Sequence, residues 1–73
     1  MDSIDEVIGL RINGEPRELK GRCSATDLLD LLGIEHRLVA VAINGVVVRR
    51  ADLRSTFVSD GDDVEIVRAV GGG

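Results

Sequence analysis

The groups in this chain that could react are the thiol of Cys23, the imidazole of His36, the carboxylates of Asp60-Gly61-Asp62-Asp63 and the last carboxylate of the sequence, on Gly73. Cys23 has no general base near it in sequence. Its position just before a predicted helix start would lower its pKa somewhat, but a structural thiol is the expected reading. His36 is the single histidine, so no histidine-based metal cluster can form. It falls in a predicted helix-to-strand loop and is read as a solvated surface residue. Asp60-Gly61-Asp62-Asp63 resembles a fragment of a calcium loop, but the spaced ligands and closing glutamate of such a site are missing, which leaves a solvated turn. Gly9, Gly14, Gly21, Gly33 and Gly45 are each isolated, so no glycine-rich phosphate loop occurs.

That elimination leaves the ending, Val70-Gly71-Gly72-Gly73. Residues without side chains can thread a narrow channel and adopt backbone angles barred to other residues. The expectation is that the Gly73 carboxylate is the reactive group and that Gly71 and Gly72 form a flexible tail entering a partner's active site. A carboxylate is inert until its oxygen becomes a good leaving group. Adenylation by ATP achieves this, and a sulfur nucleophile can then displace AMP. The product at Gly73 would be a thiocarboxylate.

Such chemistry needs a rigid body behind the tail, and the patterning supplies one. Ile8, Leu10 and Ile12 alternate with Gly9, Arg11 and Asn13, the period-two signature of a half-buried strand. Asn13-Gly14 is a hairpin turn signal. Pro16 opens a second short strand around Arg17 to Gly21, with Leu19 inward. Ser24 is a good helix N-cap, and Asp27 lies three residues on, near the positive end of the helix dipole. Leu28, Leu29, Leu31 and Leu32 give the helix a broad apolar face, and Gly33 suits the left-handed position that ends it. Leu38 to Ile43 is short, apolar on both faces and rich in β-branched residues, a third strand. Asn44-Gly45 repeats the turn signal before Val46-Val47-Val48, the fourth. Arg49 to Leu53 reads as a turn or one helical turn. Val64, Ile66 and Arg68 alternate with Glu65, Val67 and Ala69 in the last strand.

The predicted order is β-β-α-β-β-β, an α+β fold with a mixed sheet and one main helix. The first and last strands are expected parallel at the centre, with the hairpins at the edges: a β-grasp, or ubiquitin-like, arrangement. One helix covers one face of such a sheet. Val67, Ala69 and part of the third strand fall on the other face, with Val70 at the base of the tail, and a partner protein is expected to cover them. The boundaries are an acidic N-terminal extension over 1–7, the domain over 8–70 and the glycine tail over 71–73.

Composition narrows the partners. The chain has 73 residues, 44% hydrophobic and 30% charged, which fits one small folded domain. Phe57 is the single aromatic and the net charge is −4. Both features oppose nucleic-acid binding, which relies on aromatic stacking and positive charge. The acidic balance favours partners with basic rims, with Arg68 beside the tail as the exception. No apolar run approaches the length of a membrane span. The start, Met1-Asp2-Ser3-Ile4-Asp5-Glu6, lacks the order of a signal peptide, and a lone cysteine fits a reducing cytoplasm.

At Ile12-Asn13-Gly14-Glu15, Leu28-Leu29, Val39-Ala40-Val41-Ala42-Ile43-Asn44, Val48-Arg49-Arg50, and most specifically Asp60-Gly61-Asp62-Asp63-Val64-Glu65-Ile66-Val67 leading to Val70-Gly71-Gly72-Gly73, the chain resembles the ThiS family. This is a family of sulfur carriers of thiamine (thiazole) biosynthesis, within the ThiS/MoaD ubiquitin-like group. The match covers about residues 8–73.

The resemblance implies that an E1-like activating enzyme of the ThiF type adenylates Gly73 with ATP. A cysteine desulfurase or another sulfide source supplies the sulfur, and a thiazole synthase of the ThiG type accepts it. The chain itself would be no enzyme and bind no cofactor or metal. Residues 1–7 precede the usual family start, and Cys23 lies outside the family pattern. The small subunit of molybdopterin synthase shares the fold and a Gly-Gly end, and related carriers serve other sulfur metabolites. A ubiquitin-like protein modifier or a plain interaction module remain as further alternatives.

Overall fold

A computed structural model of the chain describes residues 7–68. The first hairpin is β1 (Val7–Ile12) and β2 (Glu15–Lys20), antiparallel with Ile12 opposite Glu15. Asn13 and Gly14 fill the two-residue turn at φ 53° and 84°. Two consecutive positive φ angles are what a type I′ turn requires, and asparagine and glycine tolerate them best. Asn44 and Gly45 repeat that geometry between β3 (Val39–Ile43) and β4 (Val46–Val48).

The helix α1 (Ala25–Leu32) begins with a complete capping box. Ser24 Oγ accepts from the Asp27 amide at 3.1 Å, and the Asp27 carboxylate accepts from the Ser24 amide at 3.3 Å. Aspartate thus does the work usually given to glutamate. Gly33, at φ 72°, ends the helix in the left-handed region. Short 3₁₀ segments at His36–Leu38 and Arg50–Ser55 complete the connections. The second takes the helical alternative of the turn or one helical turn expected over Arg49 to Leu53, runs on to Ser55 and buries Leu53.

The last strand, β5 (Asp63–Arg68), enters the middle of the sheet, giving the order β2-β1-β5-β3-β4. It lies parallel to β1, with Ile12 opposite Val64, and antiparallel to β3, with Val41 opposite Ile66. This is the β-grasp arrangement that the strand pattern predicts. The core lies between α1 and one sheet face, where Ile8, Leu10, Leu19, Val39, Val41 and Val64 meet Ala25, Leu28 and Leu29. Val64 and Leu29 are fully buried, and burial of such side chains contributes about 1.5–3 kcal/mol each.

Two expectations need correction. Leu31 is 64% exposed and does not share the helix's apolar face. At about 100° per residue, Ala25, Leu28, Leu29 and Leu32 cluster on one side, and Leu31 turns beyond its edge. The domain also begins one residue early: Val7 pairs with Lys20 inside β1, where the extension was expected to run through residue 7.

Candidate functional site: the end of the central strand

The expected tail residues Gly71, Gly72 and Gly73, and Ala69 and Val70 before them, lie outside the described residues. What the structure shows is the strand that leads to them and how the fold holds it.

Both hairpin turns grip β5 through their asparagine side chains. Asn44 Oδ1 accepts from the Asp63 amide at 2.9 Å, while its Nδ2 donates to Asp62 Oδ1 at 2.9 Å. Asn13 Oδ1 accepts from the Ile66 amide at 2.8 Å, and its Nδ2 donates to the Ile66 carbonyl at 3.3 Å. The backbone of β1 reaches only as far as Val64, whose carbonyl accepts from the Asn13 amide at 2.8 Å. One side chain then takes the place of the next strand residue and satisfies both polar groups of Ile66, as buried or half-buried backbone requires. The Asn-Gly pairs signalled the turns in sequence; the clamps give no separate signal there, because they depend on which strand lies alongside.

The acidic turn is occupied in the same way. Asp60 Oδ1 accepts from the Gly9 amide at 2.7 Å, and Asp62 Oδ2 accepts from the Ser59 amide at 2.7 Å. These carboxylates bind backbone donors and fix the entry of β5. No metal-holding cluster of His, Cys, Asp or Glu occurs among the described residues.

Val67 is 59% exposed. It pairs with Ala40, and in the same register Ala42 lies between Glu65 and Val47. Val67, Ala40, Ala42 and Val47 therefore share the sheet face away from α1. Arg68 lies on the other register, opposite Val39, beside the 3₁₀ segment His36–Leu38.

Cys23 takes no part in this end of the molecule, whereas His36 adjoins it through the 3₁₀ segment His36–Leu38. Cys23 is buried, with its Sγ 3.5 Å from the Ser24 carbonyl. Burial pushes the thiol pKa above its ordinary value, and the Asp27 carboxylate adds to the shift. This reverses the lowering expected from the adjacent helix start, because desolvation and a nearby negative charge both penalise the thiolate. His36 opens the 3₁₀ segment between α1 and β3, half-buried where a solvated loop residue was expected, and is anchored by a 2.8 Å contact between its Nε2 and Asp30 Oδ1.

The family model of the ThiS family matches residues 10–73. The chain belongs to the ThiS family. A sulfur carrier protein ThiS of Thermus thermophilus is 36% identical over 62 residues, covering 85% of this chain and 95% of its own length. A thiazole synthase of Paramagnetospirillum magneticum is 41% identical over 64 residues, which are 88% of this chain but 20% of that protein. The crystal structure of a thiamine biosynthesis protein (ThiS) from Geobacter metallireducens superposes with a TM-score of 0.80 at 36% identity, covering 90% of this chain and all of that one. The clamped strand and acidic turn thus lie within the span of the family match.

Proposed function

We propose that this ThiS-family chain is a sulfur carrier of thiamine (thiazole) biosynthesis, a co-substrate and not an enzyme, with Gly73 as the carrying residue. The observation that carries this reading is the family match, which runs through the clamped strand to Gly73. The Gly73 carboxylate attacks the α-phosphate of ATP on an E1-like activating enzyme of the ThiF type and releases pyrophosphate. Sulfide then adds to the acyl carbon and AMP leaves, giving the thiocarboxylate. If the sulfur arrives as the persulfide of a cysteine desulfurase, a thiol must afterwards cleave the resulting S–S bond. Thiazole synthase is the acceptor, a choice supported by the similarity to a thiazole synthase.

The fold's part is mechanical. Asn13 and Asn44 fix β5, so a tail leaving after Arg68 starts from a defined point and direction. Gly71 and Gly72 supply reach without side chains. Val67, with Ala69 and Val70, forms the partner-binding surface.

Intact-mass measurement tests the chemistry. After incubation with the ThiF-type enzyme, ATP and sulfide, the chain should gain the mass of one oxygen-to-sulfur exchange, and deletion of Gly72 and Gly73 should abolish the gain. No exchange, or exchange in the truncated chain, would sink the proposal. Loss of the added sulfur on exposure to thiazole synthase and its substrates then checks the branch.

A further inference from the structure

The arginines of this chain are not spread evenly. Arg37, Arg50, Arg54 and Arg68 are four of its nine basic residues, and the fold gathers them around the place where β5 ends. Arg68 pairs with Val39, two residues after Arg37. Arg50 donates to the His36 and Arg37 carbonyls at 3.5 and 3.4 Å, which draws the segment Arg50–Ser55 against the start of β3. Arg37, Arg50 and Arg54 line one cleft there together with His36. Glu35 and Asp52 are the acidic residues in these stretches. Among the described residues the ion pairs are His36–Asp30 and a 3.7 Å contact between Arg37 and Glu35. Arg50, Arg54 and Arg68 form none within the described residues.

We infer that this arginine rim is a docking surface for carboxylates on the protein that receives the tail. The inference rests on the proposed carrier function and adds the charge of the partner's surface. Gly73 is the fifth residue after Arg68, so at full extension the last carboxylate lies at most roughly 18 Å from Arg68. Any active site that takes Gly73 must come that close, and the surface around its mouth must cover the rim. The net charge of −4 would argue for a basic partner surface. However, the acidic turn at Asp60–Asp63 lies at the other end of β5, about 17 Å away. The screening length at physiological salt is only about 8 Å. Local charge therefore governs the contact, and at the tail it is positive.

The side chains of Arg37 and Arg54 are suitable to reverse, because neither holds the fold by a side-chain hydrogen bond among those described. The test measures the affinity of the full chain for purified ThiF-type enzyme, and separately for thiazole synthase, across a salt series. Arg37→Glu/Arg54→Glu should weaken binding at least tenfold at low salt, with a smaller deficit at high salt and an unchanged Tm. Arg17→Glu, the same kind of charge reversal on β2, should change affinity less than twofold. Equal effects of rim and control variants, or wild-type affinity that rises with salt, would overturn the inference. Wild-type retention of a short DNA duplex near 0.15 M salt, abolished in the rim variant, would likewise overturn it in favour of a phosphate-binding role. Full sulfur loading with an unchanged KM in the rim variant defeats the rim while leaving the carrier function intact. Failure of the wild type to load or to bind either enzyme defeats both.

Discussion

Cys23 shows how local surroundings decide what a reactive side chain does. It sits one residue before the helix cap, where a solvated thiol would gain from the helix dipole, yet burial and the Asp27 carboxylate raise its pKa. A raised pKa means the folded state keeps the proton that the unfolded state has lost. Cys23 therefore contributes its full stability below the ordinary thiol value of 9.0, and that contribution falls as pH rises from there through the folded pKa. Replacing Cys23 with Ala should accordingly flatten the decline of Tm above pH 9.0. The wild-type thiol should also react with Ellman's reagent at pH 8 at least about tenfold more slowly than a free thiol, and at the free rate once unfolded. Rapid reaction of the native protein would show that Cys23 is an available thiolate and not the buried structural thiol described.

At the scale of elements, strand and helix types were legible in the sequence because each carries its own period, as with Ile8, Leu10 and Ile12 or Ser24 and Gly33. The parallel pairing of β1 with β5 was read from the element order, two hairpins flanking one helix with a last strand left to fill the centre. What stayed hidden were relations between distant segments. Leu31 belonged to the apolar set by type but not by angle. The four rim arginines are scattered over residues 37–68 and meet only once β3, β5 and the 3₁₀ segments assemble. The asparagine clamps are the sharpest case, since Asn13 reaches Ile66 across 53 positions of sequence. Asn13→Gly keeps the positive φ of the turn and removes only the clamp, so it should lower stability by about 1 kcal/mol. Amide exchange at Ile66 should speed up while that at Val41 stays slow. Unchanged exchange at Ile66 would mean that the side chain does not hold the strand.

Over the whole molecule, the sheet is asymmetric in what it covers. Val64 and Val67 are three residues apart on the same strand, but Val64 is fully buried against α1 and Val67 is 59% exposed on the opposite face. With Ala40, Ala42 and Val47, Val67 makes an apolar strip beside the end of β5, and the arginine rim lies on the helix side of that end. A partner that accepts the tail would therefore meet apolar surface on one side and positive charge on the other. Aspartate at position 67 places a charge at the β5 end of the strip, nearest the tail, without disturbing the core. Val67→Asp should change stability by no more than about 0.5–1 kcal/mol, yet reduce affinity for thiazole synthase at least tenfold. Val64→Asp, by contrast, buries an unpaired carboxylate and should prevent folding. Thermal melts and binding isotherms on the same preparations separate the two effects. If Val67→Asp lost Tm in proportion to affinity, the strip would be part of the structural core, and the partner surface would have to be sought around the arginines alone.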